Sequence, residues 1–483
     1  MKRLRRDLGE PAPIPEAGIR RAIEIMRGGR LTRYGEFGGD GSEVAALERD
    51  FARYMGSPHA VAVNSCGSAL NIALLCAGVK PGDVVLLNAF TLAPVPGAIV
   101  HAGAEPLYVE CDARYHIDLE DLERKAGLGA TVLLLSHMRG HIADMEAVTA
   151  ICRRHGLTLI EDCAHTLGAR WGGTPSGRFG EFGCFSLQAY KHINAGEGGL
   201  LITGDADAAA RAVLYSGSYM LYGQNGAAPD AEVFLRHRES IPNLSCRMNE
   251  VTAALARPQI ALLEERGRDW NRSYCLLAER FSQIDAVLVP ERDPREDYIA
   301  SSIQFSLTGL SPRRITAVID RCASRGVPIK WFGNEHPQGF TATFEHWRYV
   351  DPPGLARTRA VLQGLCDLRI PLSLTEEDCG LIAEILAEAI AKVSAEATAA
   401  TSTEAIANVG AEDTIKVETE GIATASTEGI ATANTEGIGN VGAGGTTSAG
   451  ADAIAAASTE LIANVGPEAI ATASTGRSGN RRR

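Results

Sequence analysis

No stretch of the 483-residue chain approaches the roughly eighteen uninterrupted apolar residues that a membrane-spanning helix needs. No membrane association is expected. An excess of positive charge is also missing: 47 Lys and Arg against 59 Asp and Glu give a formal net charge of −12. Nonspecific nucleic-acid binding depends on a basic surface that neutralises phosphates, so that class is set aside, although a local anion pocket is not. The start, MKRLRRDLGEPAP, is basic but is followed by no apolar run, and no secretory signal is expected. Eleven cysteines, an odd number, run from Cys66 to Cys379 without a repeated CxxC pair. They read as small buried hydrophobes in a reducing compartment, with the cytoplasm as the expected location.

The most uneven absence is at the end of the chain. Residues 393–483 contain no Trp, Phe, Tyr, Cys, Met or His, and their eleven acids and five basic residues carry a net −6. Acids recur every eight residues from Glu404 to Glu436, and isoleucines keep a parallel register at Ile422, Ile430 and Ile438. Eight residues overshoot two helical turns by about 80°, so neither type forms one straight helical stripe. With so little side chain to offset ordering entropy, this octad-repeat tail is expected to be disordered.

What is present before residue 393 reads as globular. Ser42 is a cap for a helix through Met55. Apolar strands at AVAVN, DVVLLN, PLYVECD, TVLLLSH and LTLIEDC are separated by helical segments near 94–102, 118–125 and 144–154, with further strands at CFSLQ and GLLIT. Such runs without polar alternation indicate a mainly parallel sheet covered on both faces, an α/β class. The composition shifts near Asp269, where SSIQFSLTG, PRRITAVIDRCASRG and VPIK read as strand, helix and strand, closed by a helix from about Thr375 to Lys392. Expected boundaries are therefore 1–268 for a large domain with an N-terminal arm, 269–392 for a smaller α/β domain, and 393–483 for the tail.

Ligands of such sheets gather beyond the carboxyl ends of the strands. The first strand leads into Ser65, Cys66, Gly67 and Ser68 before a helix. This is either an anion cradle or only a tight turn; it is neither a Walker loop nor a dinucleotide fingerprint. Glu161 and Asp162 end an apolar strand, with His165 one turn on. Either one acid caps a turn while the other is solvated, or Asp162 pairs with a buried cationic nitrogen. Lys191 follows CFSLQAY and precedes the turn at Gly196, Glu197, Gly198 and Gly199. Lysine, acid and cradle together match pyridoxal 5′-phosphate (PLP), whose aldehyde needs an amine, whose ring nitrogen needs an acid and whose phosphate needs donors.

The stretch EDCAHTLGARWGGTPSGRFGEFGCFSLQAYKHINAGEGG resembles the signature of the DegT/DnrJ/EryC1/StrS family of fold-type-I PLP-dependent aminotransferases, which act mostly on sugars. The resemblance runs from about Arg27 to Lys392. It implies that Lys191 carries the cofactor, that Asp162 partners its ring nitrogen and that His165 lies beside it. By the same resemblance Gly67, Ser68 and Ser186 are phosphate ligands, and His137 in LSHMRG falls on a strand-end histidine. It further implies a homodimer with shared active sites, in which the segment IPNLSCRMNE reaches the neighbour. Leu92 stands where an aromatic ring usually stacks on the cofactor. Ser245 stands at the usual cross-subunit asparagine, with Asn243 two residues upstream. The stretch KWFGNEHPQGFTATFEHWRYV, with Trp331, His336, Phe340, Trp347 and Arg348, replaces a short tyrosine–proline–histidine pattern.

The implied activity is transfer of an amino group from an amino acid, glutamate or glutamine, to a carbonyl acceptor such as a keto-sugar or cyclitol. Two alternatives are a non-transaminating PLP enzyme (decarboxylase, dehydratase or C–C bond-forming) and a non-catalytic binding module. A zinc site at His137 and His141 is disfavoured, since Gly140 separates them and no HExxH pattern is present. Arg170 and Arg178 flank WGGTPSG, read as a hairpin near the entrance.

Overall fold

A computed structural model of the chain describes residues 2–34, 41–351 and 354–397. The octad-repeat tail lies outside the described residues. Among the described residues, seven strands form one sheet: β1 (His59–Val63), β2 (Val84–Asn88), β3 (Glu105–Val109), β4 (Val132–Ser136), β5 (Thr158–Asp162), β6 (Phe182–Ser186) and β7 (Gly199–Thr203). Their order is β1-β7-β6-β5-β4-β2-β3. β7 runs against both of its neighbours, while β6, β5, β4, β2 and β3 pair in parallel. Every residue of β4, β6 and β7 is buried. That is why these strands read as unbroken apolar runs rather than alternating ones.

The expected helices between the strands are present at Pro94–His101, Leu119–Ala126 and Met145–His155. Asp118 caps the second by accepting from Asp121 N, and Asp144 caps the third by accepting from Ala147 N. The helix Cys66–Cys76 begins earlier than the sequence indicated. Ser65 Oγ accepts from Ser68 N, so SCGS is a capped first turn rather than a separate loop. Its low amphipathicity has a physical reason: Ala69, Leu70, Ile72, Ala73, Leu74 and Cys76 are all buried, so no face is left to be polar.

A smaller antiparallel sheet follows, made of β8 (Val287–Leu288), β9 (Ser302–Leu307), β10 (Lys330–Trp331) and β11 (Leu365–Arg369) in the order β8-β9-β11-β10. The fold is thus a mixed α/β one, with a large, mainly parallel sheet domain and a smaller α/β domain. The position 268/269, where the composition changes, lies inside the 19-residue helix Leu263–Phe281. Trp270, Tyr274, Leu277 and Phe281 bury one side of that helix, and Phe281 meets Phe305 of β9 edge-to-face with ring centroids 5.0 Å apart. Burial of each such side chain stabilises by about 1.5–3 kcal/mol. The last described helix covers 376–397 and so runs past Lys392. Val393 is buried and Glu396 pairs with Arg321 at 2.8 Å, which gives the extra turn its anchors.

Candidate active site

The carboxyl ends of β1, β4, β5 and β6 converge on one cavity of about 730 Å³, within the range of small-molecule and cofactor sites. Ser65, Cys66, Gly67, Leu92, Asp162, His165, Ser186 and Lys191 all line it. Ser68 stands one residue further into the helix, its Oγ donating to Asn64 Oδ1 at 2.7 Å. Gly199 opens β7 directly beneath this turn. A Cβ there would lie 2.4 Å from the backbone C and O of Ser65, so only glycine lets strand and turn pack this closely.

Asp162 and Ser136 are register partners in the parallel pair β5–β4, which places Ser136 Oγ 2.8 Å from Asp162 Oδ2. The other carboxylate oxygen accepts from Ala164 N at 3.1 Å. The neighbouring Glu161 points to the opposite face of the strand. Neither acid is solvated: Glu161 is 0% and Asp162 6% exposed. Glu161 accepts from Gly177 N, Phe179 N and Gly180 N, each at 2.8 Å, and lies 3.1 Å from His137 Nε2. With Cys163 these groups are close enough for a metal, but both oxygens of Glu161 are already engaged in hydrogen bonds. The arrangement is a loop anchor.

Lys191 follows the β6 exit in a turn closed by its own N–H to Gln188 O at 2.8 Å. Its Nζ lies 2.7 Å from His165 Nε2. Burial, reinforced by the positive Arg139, lowers the Lys191 amine from its ordinary 10.5 to about 8. Burial and the Lys191 charge also hold His165 well below the usual imidazole range. A neutral His165 therefore accepts a hydrogen bond from Lys191. An amine that is readily deprotonated, a buried carboxylate and a serine-capped helix N-terminus make a donor set that fits PLP.

The DegT/DnrJ/EryC1/StrS aminotransferase family model matches residues 16–387. The chain belongs to this family. Like it, the protein is a PLP-dependent aminotransferase, which decides against the non-catalytic reading. It is 32% identical over 316 residues to 3-amino-5-hydroxybenzoate synthase of Amycolatopsis mediterranei (strain S699), covering 64% of this chain and 76% of that protein. It is also 32% identical over 358 residues to L-glutamine:2-deoxy-scyllo-inosose aminotransferase of Streptoalloteichus tenebrarius, covering 70% and 84%. The crystal structure of 3-amino-5-hydroxybenzoic acid synthase superposes with a TM-score of 0.68 at 28% identity, covering 79% of this chain and all of that one.

Some family positions are not brought into the cavity of this chain. Asn243 and Ser245 are exposed, with Asn243 Oδ1 accepting from Ser245 N at 2.7 Å. Arg247 donates to Gly217 O at 2.9 Å. Of the aromatic and basic stretch after β10, Phe340 lines the cavity. Trp347 is buried against Tyr108, and His336 and Arg348 are exposed. The hairpin Arg170–Trp171 with Thr174–Pro175 exists, but neither Arg170 nor Arg178 is among the cavity residues. Sequence reasoning missed Arg139, Lys330 and Arg369, which also line the cavity. A signal was available for Arg139, which follows the β4 exit by three residues, and for Lys330, which opens the divergent stretch KWFGNEHPQGFTATFEHWRYV.

Proposed function

We propose that the chain transfers the amino group of glutamine or glutamate to the ketone of a ring-shaped acceptor, a keto-sugar or cyclitol. Two relatives support this class by name: the scyllo-inosose aminotransferase named above, and GDP-perosamine synthase of Caulobacter vibrioides, 32% identical over 226 residues. The observation that carries the reading is the Lys191–His165 contact at 2.7 Å beside the Asp162–Ser136 pair at 2.8 Å.

In this reading Lys191 Nζ would hold the cofactor covalently, Asp162 would partner its ring nitrogen, Ser65, Gly67, Ser68 and Ser186 would take its phosphate, and Leu92 would offer the ring an apolar surface in place of an aromatic one. PLP, when bound, supplies an electron sink that stabilises charge developing at the substrate carbon. Once an incoming substrate amine has taken its place on the cofactor, the freed Lys191 Nζ, whose lowered pKa favours the neutral form, can take the proton from the substrate Cα. His165, uncharged, orients that amine without competing for the proton.

The chain acts as a homodimer in this reading, with the segment around Asn243, Ser245 and Arg247 directed to the neighbour's phosphate site. That segment is exposed, and Tyr219, Met220 and Leu221 beside it leave apolar surface in solvent, at 58%, 61% and 39% exposure. Among the described residues no helix is long and apolar enough to cross a membrane. The eleven unpaired cysteines fit the cytoplasm.

The test is a half-reaction. Cofactor-loaded protein given L-glutamine without an acceptor is expected to release one equivalent of the matching 2-oxo acid and no carbon dioxide. Carbon dioxide release, or turnover with no 2-oxo acid, overturns the proposal in favour of a non-transaminating reaction.

A further inference from the structure

The last torsion of an aspartate is only loosely restrained by its own rotamer preferences, so the plane of the Asp162 carboxylate is set by its neighbours. Ser136 Oγ donates to Oδ2 at 2.8 Å, and Ala164 N donates to Oδ1 at 3.1 Å. The Cys66 thiol also faces Oδ1, at 3.8 Å. Among the described residues Oδ1 thus has two partners and Oδ2 one. The acceptor capacity left over belongs to the oxygen that Ser136 holds. Glu161 differs, because its oxygens are taken up by three loop N–H groups and His137. Asp162 and Ser136 both line the cavity.

Ser136 is itself held by more than sheet pairing. The β2–β4 ladder joins Val85 to Val132, Leu86 to Leu133 and Leu87 to Leu134, and stops there. Beyond it the side chain of Asn88 takes over. Its Oδ1 accepts from Ser136 N at 2.8 Å, and its Nδ2 donates to Ser136 O at 3.1 Å and to Phe90 O at 2.7 Å. Exchanging the amide oxygen and nitrogen would set donor against donor and oxygen against two carbonyls, so one orientation alone satisfies all three bonds. On the other side His137 N donates to Asp162 O at 3.1 Å. The backbone at Ser136 is therefore clamped between β2 and β5. Asn88, Ser136 and Asp162 are all buried. Buried polar side chains are costly unless satisfied, and a satisfied network is rigid. The rest of β4, Val132 to Leu135, is apolar, and its one hydroxyl is directed at the acid that faces the cavity.

We propose that Ser136, clamped by Asn88, is a positioning residue that fixes the Asp162 carboxylate so that Oδ2 offers its remaining lone pair to the ring nitrogen of PLP. The inference rests on the aminotransferase site proposed above and adds the two side chains that orient its acid. Loss of the Ser136 hydroxyl leaves the charge of Asp162 in place but frees the carboxylate to turn. It therefore weakens what the ring nitrogen contributes and spares what the aldehyde and phosphate contribute.

The ring nitrogen can be removed from the cofactor just as the hydroxyl can be removed from the protein. Calorimetric titration of the full chain, stripped of cofactor, compares PLP with its deaza analogue, which has C–H in place of the ring nitrogen and keeps the aldehyde and phosphate. The unaltered chain is expected to bind PLP about tenfold or more tightly than the analogue, as for one charge-assisted hydrogen bond. Ser136→Ala is expected to lower that ratio about fivefold while affinity for the analogue stays within about twofold. Ser136→Thr should retain most of the ratio, and Asn88→Ala should lower it in the same direction. In an Asp162→Asn background, Ser136→Ala should leave the ratio unchanged. The proposal is overturned by a ratio near one in the unaltered chain, by an undiminished ratio in Ser136→Ala or Asn88→Ala, or by equal weakening of both cofactors. The same loss in the Asp162→Asn background also overturns it, since Ser136 would then act without the acid. If Ser136→Ala fails to fold, Ser136→Cys, close in shape with a weaker donor, is read against the same outcomes. An unaltered chain that binds neither cofactor and gains no visible absorbance with PLP overturns the proposed function and this inference together. Normal PLP binding with an unchanged ratio in Ser136→Ala overturns the inference alone.

Discussion

Lys191 differs from a surface lysine in its surroundings: it lies in a cavity, touches an uncharged imidazole and shares the site with a buried carboxylate. Burial lowers its folded-state pKa, so the amine loses its proton as pH rises through about 8 rather than 10.5. The reactive neutral form therefore accumulates at lower pH than in a free lysine. Recapture of PLP by protein stripped of it should accelerate with pH and level off above about pH 8, followed by visible absorbance. A rate still climbing beyond pH 9 contradicts the assignment. In the proposed mechanism Asp162 acts through charge rather than contact with the substrate. Asp162→Asn keeps the size and is expected to retain absorbance while kcat falls on the order of 10²-fold, as for loss of one preorganised electrostatic group. An unchanged kcat removes Asp162 from the mechanism.

The strand ends carry the site, and strands were also what the sequence exposed most clearly. β2, β4, β5 and β7 are short apolar runs bounded by turn residues, so their positions and the residues after them were legible. The two-residue strands were less so: Val287–Leu288 exists through pairing with distant chain, which no local pattern encodes, and the strand read at VPIK overlaps the observed Lys330–Trp331 only at Lys330. The cation group was hidden for the same reason, since Arg139 meets Lys330 and Arg369 only through tertiary packing. Glu161 was half legible. Its place at a strand end was evident, but not the loop 177–180 that returns to it. Removing its carboxylate orphans three backbone N–H groups and His137. Glu161→Ala should lower unfolding free energy by about 3–5 kcal/mol in urea titration. A loss below about 1 kcal/mol would show that the anchor is dispensable.

At the scale of the molecule, the cavity draws on β1, β4, β5 and β6 of the large sheet and on Lys330 and Arg369 of the small one. The cavity therefore lies where two sheets meet, a common location for ligand sites. Every proposed catalytic residue precedes the helix over 376–397. Truncation after Ala397, which keeps the buried Val393 and the Arg321–Glu396 pair, should leave cofactor absorbance and turnover within about twofold of the full chain. A folded dimeric truncation that loses most of its turnover would place part of the active site in the tail. Light scattering should give a dimer for both forms, and an active monomer would contradict the shared-site reading.

The central claim is that Lys191 carries PLP in this cavity. Borohydride reduction of the PLP-loaded protein, followed by peptide mass spectrometry, tests it most directly. The expected result is loss of the visible band together with a pyridoxyl-phosphate mass on the peptide containing Lys191, and neither signal in Lys191→Ala. A label on a different lysine, or a protein that gains no visible absorbance when PLP is added, would contradict it.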